Sequence, residues 1–251
     1  MEDKLKRLRI IKEHEYSHNA MSDALYELYS SRWNDFQEKI QSKVESAMPF
    51  LIVPTNAYCM SEKRIMIVGQ ETDSWAGEVY DFPEEQNPCN VLKVYDRFVN
   101  RGGYSSPYWD FIRAIKDATP PNINFVVNNV VKIGKKSDVG CDDFINDLTL
   151  EHMNLLPQEL EILKPDMVLF LTGPNYDHRI EAVFGKFKTE KAEANLSARE
   201  FAKLQFCENE MPPSYRCYHP AYLRRSKNFD RYLEIINDII KKTINKNNIN
   251  I

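Results

Sequence analysis

The chain has 251 residues, 43% hydrophobic and 28% charged, a globular composition with room for one large domain or two small ones. No apolar run approaches the roughly 20 residues that cross a bilayer, so no membrane partner is expected, and five cysteines without a CxxC pair argue against a disulfide framework or a cysteine metal site. A net charge of −4 argues against a nonspecific nucleic-acid coat, although basic residues cluster at 4–12, at Lys132, Lys135 and Lys136, and at Arg224, Arg225, Lys227 and Arg231.

The opening stretch, MEDKLKRLRIIKEHEY, is mixed in charge and lacks a cleavable apolar core, so a cytoplasmic protein with free thiols is expected. HEYSH at 14–18 matches the H-E-x-x-H zinc signature, which on a helix puts His14 and His18 on one face with Glu15 as general base. Such a site needs a third protein ligand, and no H-x-x-G-x-x-H extension follows, so a solvated helical face and no metal are expected. Residues 22–47 then predict a long amphipathic helix with Leu25, Leu28, Tyr29, Trp33, Phe36, Ile40 and Val44 on one stripe, packed on a sheet's flank. Residues 1–48 form an N-terminal helical extension on this reading.

Four apolar runs predict strands: RIMIVG (64–69), NFVVNNVV (124–131), DMVLFLTG (166–173) and YRCYHP (215–220). The first three are nearly continuous, as in strands covered on both faces. Between them, Gly102-Gly103 reads as a turn. Ser106 and Pro107 start a helix over YWDFIRAI, with Tyr108 and Trp109 expected to pack beneath the sheet. GKKS (134–137) lacks the earlier glycine of a phosphate-binding loop, since Asn129 stands there. EHMNLLPQELEIL and NFDRYLEIINDII repeat at helical spacing, and the tail over 241–251 frays.

Alternating strands and helices predict an α/β fold in one domain over 1–251: three α/β/α layers around a four-stranded, mainly parallel sheet. Ligands of such sheets gather at the carboxyl ends of strands. That rule collects residues 69–75, 128–134, 173–176 and 219–225 into one crevice.

The segments ending there, spread from Arg64 to Arg225, resemble the uracil-DNA glycosylase superfamily. IMIVGQETDSW resembles its first motif, NNVVKIG its base-reading strand, LPQELEILKPDMVLFLTG its third strand with the preceding helix, and CYHPAYLRR the histidine loop of its iron–sulfur branch. The resemblance implies a uracil-DNA glycosylase-like fold and hydrolysis of the N-glycosidic bond of uracil or another modified pyrimidine flipped out of single- or double-stranded DNA, by a monomer. Departures from the pattern carry their own expectations. Ile133 stands where that branch has a cluster cysteine, so no iron–sulfur cluster and no cofactor are expected. Thr72, Asp73 and Ser74 replace the usual proline and small or aromatic residues, which alters the pocket floor.

The chemistry supports these roles independently. The leaving pyrimidine departs as an anion, so the site needs a donor aimed at the developing oxyanion. A neutral His219 imidazole can donate one N–H to the pyrimidine O2, the electrophilic role that the resemblance implies. Asn129 accepts from uracil N3–H and donates to O4, and cytosine would fail both contacts. Its neighbour Asn128 points to the opposite face. Gln70 and its turn's amides hold the base's carbonyl edge. The resemblance implies that Glu71 stabilises the cationic sugar and positions water. Tyr104 is the aromatic platform, chosen over Tyr80, Phe82 and Trp75. Tyr222 and Leu223 form an apolar wedge, and Arg224, Arg225 and Lys132 hold phosphates. The alternative reading is a non-catalytic nucleic-acid or nucleobase-binding module on the same fold.

Overall fold

The computed structural model describes residues 18–72, 75, 87–136 and 140–246. Its contacts define two compact units, each assembled from separate stretches: 1–59, 71–101 and 129–163 in the first, and 60–70, 102–128 and 164–251 in the second.

The second unit carries the sheet. Its strands are β1 (Lys63–Gly69), β2 (Ile123–Asn129), β3 (Met167–Phe170), β4 (Phe187–Lys191), β5 (Phe201–Phe206) and β6 (Ser214–Cys217). Asn129, the last residue of β2, already belongs to the first unit. The spatial order is β2-β1-β3-β6-β5-β4. β1 pairs with β3, and β3 with β6, in parallel register, Ile65 opposite Met167 and Leu169 opposite Tyr215. The four expected strands are therefore present as β1, β2, β3 and β6. The sheet is mixed and six-stranded, however, because β4 and β5 extend it with antiparallel pairing.

Helices cover both faces of this sheet. Adjacent residues on a strand point to opposite sides. Tyr215 on β6 hydrogen-bonds through its hydroxyl to Thr243 at 3.1 Å, on α9 (Phe229–Lys246). The next residue, Arg216, holds Asp177 at 3.0 and 3.1 Å, at the start of α7 (Asp177–Phe184). Arg216 also donates to the carbonyls of Ala198 and Arg199, which ties the β4–β5 connection to β6. The interior is the continuous apolar stretch expected of doubly covered strands: Ile65 to Val68 and Met167 to Leu171 are fully buried.

The helix of the second unit between β1 and β2 is α4 (Pro107–Asp117). Ser106 caps it by accepting from the Trp109 amide, and Pro107 supplies the preset first position. Its Phe111 meets Phe229 of α9 edge to face at 4.8 Å. A short helix, α8 (Pro220–Arg225), leads into α9.

The first unit is helical. Asn19 caps α1 (Ala20–Asp35), and the chain continues through π-helical turns over Phe36–Gln41. The predicted helix over 22–47 is thus shorter than expected. The wider turns keep Phe36 and Ile40 buried beside Leu25, Tyr29 and Trp33. After the single turn α2 (Asn56–Cys59) come α3 (Pro88–Phe98), α5 (Asp143–His152) and α6 (Leu156–Leu163). Segment 46–50 runs antiparallel to 132–135 through a Ser46–Lys135 bridge and a 2.7 Å bond from Phe50 N to Lys132 O.

Candidate functional site

Three parallel strands of the second unit end side by side. The Leu171 amide bonds the Val68 carbonyl at 2.8 Å, joining β3 to β1, and the Gly173 amide bonds the Cys217 carbonyl at 2.8 Å, joining β3 to β6. Beyond β1, Gln70 donates through Nε2 to the Thr172 carbonyl at 2.7 Å. This leaves the Gln70 side chain presenting its amide oxygen. Gly173 has φ +74°, a conformation that disfavours any side chain, and a Cβ there would also come within 3.7 Å of the Tyr218 ring. Gln70, Thr172, Gly173, Tyr218 and His219 consequently form one strand-end cluster. The Thr172 hydroxyl in it is buried with no hydrogen-bond partner among the described residues.

His219 is the N-cap of α8, with extended φ and ψ of −61° and 136°. Its Nδ1 accepts from the Ala221 amide at 3.3 Å. An imidazole that accepts at Nδ1 carries its proton on Nε2 when neutral. Burial pulls its pKa from 6.5 down to about 4, so the ring is neutral at physiological pH. The imidazole lies face to face with the ring of Tyr108, centroids 5.5 Å apart and planes 8° from parallel. Tyr108 was expected beneath the sheet with Trp109. Instead it stands in the first turn of α4 against the histidine, and only Trp109 is buried, under Gly103. Its position just after a Ser-Pro helix start was the sequence signal.

The flanking residues correct the expected wedge. Leu223 is 1% exposed and packs in the core, whereas Tyr222 is 42% exposed. Consecutive residues of a helix point about 100° apart, so the two cannot form one wedge. Arg224 reaches Asp110 Oδ2 at 3.2 Å and lies over the Phe229 ring at 4.2 Å, while Arg225 lies over the Tyr222 ring at 5.6 Å. Tyr104 is exposed at the surface, in a loop that Arg113 holds by donating to the carbonyls of Gly102 and Tyr104.

The remaining candidates belong to the first unit. Glu71 is half-buried, with a carboxylate oxygen 3.9 Å from where a Cβ on Gly140 would stand. Asn129 is buried. Asn128, which belongs to the second unit, is buried too, and its side-chain amide reaches Met66 Sδ on β1 at 4.0 Å. Lys132 is not a phosphate contact. It is 1% exposed, 2.5 Å from Glu159 Oε2, and donates to the Phe50 carbonyl at 3.1 Å. Trp75 packs edge to face on Phe50 and Phe98. Tyr80, Phe82, Asp73, Ser74, His14 and Glu15 lie outside the described residues. His18 is exposed beside Asp23 at 3.3 Å.

No helix among the described residues is long and apolar enough to cross a membrane. No family model matches the chain, and no curated protein matches it.

Proposed function

We propose that the protein is a DNA glycosylase-like enzyme that hydrolyses the N-glycosidic bond of uracil or another modified pyrimidine flipped out of DNA. The observation that carries this reading is His219: a neutral imidazole at the carboxyl ends of parallel strands, with Nδ1 committed to the Ala221 amide. Its Nε2–H is a prearranged donor for an oxygen that becomes anionic.

In the proposed reaction the C1′–N1 bond breaks and its electron pair stays on the base. His219 donates to O2 of the departing anion. Water oxygen then bonds to C1′, and the proton released ends on the base. Gln70 Oε1 accepts from the base N3–H. Tyr104 supplies a stacking surface, Tyr222 alone takes the wedge role, and Arg225 the phosphate contact.

The test is cleavage of uracil-containing single- and double-stranded oligonucleotides, developed with alkali. Wild type is expected to cut, and His219→Ala to lose cutting. Wild-type protein that binds DNA and cuts none of these substrates would overturn the enzymatic reading in favour of a binding module.

A further inference from the structure

We propose that Tyr108 is the positioning residue for His219: its ring fixes the imidazole in the orientation that caps α8 with Nδ1 and presents the Nε2 proton.

The cap alone is a weak constraint. Its 3.3 Å separation lies beyond the usual range of about 2.7–3.2 Å for such bonds. A ring held by one long bond can turn about its side-chain torsions. The near-parallel Tyr108 face removes that freedom, since an 8° angle at 5.5 Å is an offset stack that rotation of either ring would break.

Tyr108 is itself held firmly. Ser106 and Pro107 define the start of α4, and two residues beyond Tyr108, Asp110 accepts from Arg113 at 2.6 Å and from Arg224 at 3.2 Å. The first turn of α4 is therefore tied to α8 twice, once through the ring stack and once through Asp110. These contacts also account for the charged groups nearby. Asp110 and Arg113 on α4 pair with each other, Arg224 on α8 joins them, and Arg225 faces Tyr222. Burial is the cause of the histidine's lowered basicity, and the covering surface on this side is the Tyr108 ring.

The hydroxyl of Tyr108 takes no part in this role. It is buried with no hydrogen-bond partner among the described residues. The ring is the part that acts, and phenylalanine should replace it.

For catalysis the inference rests on His219 as the leaving-group donor, but the positioning itself is measurable without any substrate. Nitrogen-15 NMR of the His219 ring in the full chain, for wild type, Tyr108→Phe and Tyr108→Leu, reads tautomer and titration midpoint directly. Wild type and Tyr108→Phe are expected to keep the Nε2–H tautomer. Tyr108→Leu is expected to mix tautomers and raise the midpoint by about one pH unit. In the cleavage assay Tyr108→Leu should lose about tenfold or more in kcat with little change in KM. An unchanged tautomer and midpoint in Tyr108→Leu would overturn the proposal. So would the absence of ring-to-ring nuclear Overhauser contacts between Tyr108 and His219 in wild type, a measurement that needs no variant to fold. If wild type cuts no uracil while Tyr108→Leu still shifts the tautomer, the positioning role stands and the glycosylase reading falls.

Discussion

Lys132 and Glu159 face each other inside the first unit at 2.5 Å, with side chains 2% and 0% exposed. Tyr29, also fully buried, donates to the other Glu159 oxygen at 2.7 Å and accepts from the Ile52 amide at 3.2 Å. The cluster therefore pins α1, α6 and the 50–52 segment of that unit together. Burial pulls the lysine amine below its ordinary pKa, against the attraction of Glu159. Removing one member strands the other charge. Lys132→Met and Glu159→Leu should each cost about 3–5 kcal/mol, while the double variant should recover much of that loss. Urea denaturation of all four proteins gives the double-mutant cycle. Strictly additive losses would mean that the two groups do not stabilise one another.

His219 should give the stability a pH dependence of known sign. Its folded pKa of about 4 lies below the ordinary 6.5. Between those values the unfolded chain takes up a proton that the folded chain does not. Stability contributed by this group is thus full above pH 6.5, falls as pH drops through the window, and levels off below pH 4. The loss should reach about 3 kcal/mol once both states are protonated. Urea melts between pH 7.5 and 4.5 should show a shallower decline for His219→Gln than for wild type. Parallel curves would mean that the ring titrates in the folded protein as it does in the unfolded chain.

The strands most legible in the sequence are those whose burial is two-sided. Ile65 to Val68 and Met167 to Phe170 are continuous apolar runs because helices cover both faces of the sheet. The pair β4–β5 escaped notice for the opposite reason. Residues 188–191 of β4 are exposed at the sheet's edge, so Lys188, Glu190 and Lys191 carry no buried apolar run to mark a strand. The alternation of Ala202, Leu204 and Phe206 with Lys203 and Gln205 on β5 was the available signal. Lys132 was misread because local pattern assigns a lysine after a strand to solvent. Its partner Glu159 lies far along the chain, and only tertiary packing brings the two together. Leu223 and Tyr108 differ from expectation in direction: Leu223, expected in an outward wedge, is turned into the core, and Tyr108, expected beneath the sheet, faces the histidine. The histidine itself was legible, since a strand end, a proline and a short helix fix an N-cap.

Arg224 and Arg225 should separate in DNA binding although they are neighbours. Arg224 is already paired with Asp110 and stacked on Phe229, so its charge is partly answered within the protein. Arg225 lies over the Tyr222 ring, beside the exposed aromatic of α8. Each phosphate contact releases condensed counterions, which makes affinity fall with salt in proportion to the contacts made. Fluorescence anisotropy on a labelled oligonucleotide across a salt series should therefore show the slope of log K against log salt reduced by about one unit in Arg225→Ala. Arg224→Ala should change the slope by less than half of that, and its surface ion pair should cost about 0.2–1 kcal/mol in stability. Equal slope changes in the two variants would show that Asp110 gives up Arg224 to the phosphate, and that the α4–α8 tie opens when DNA binds.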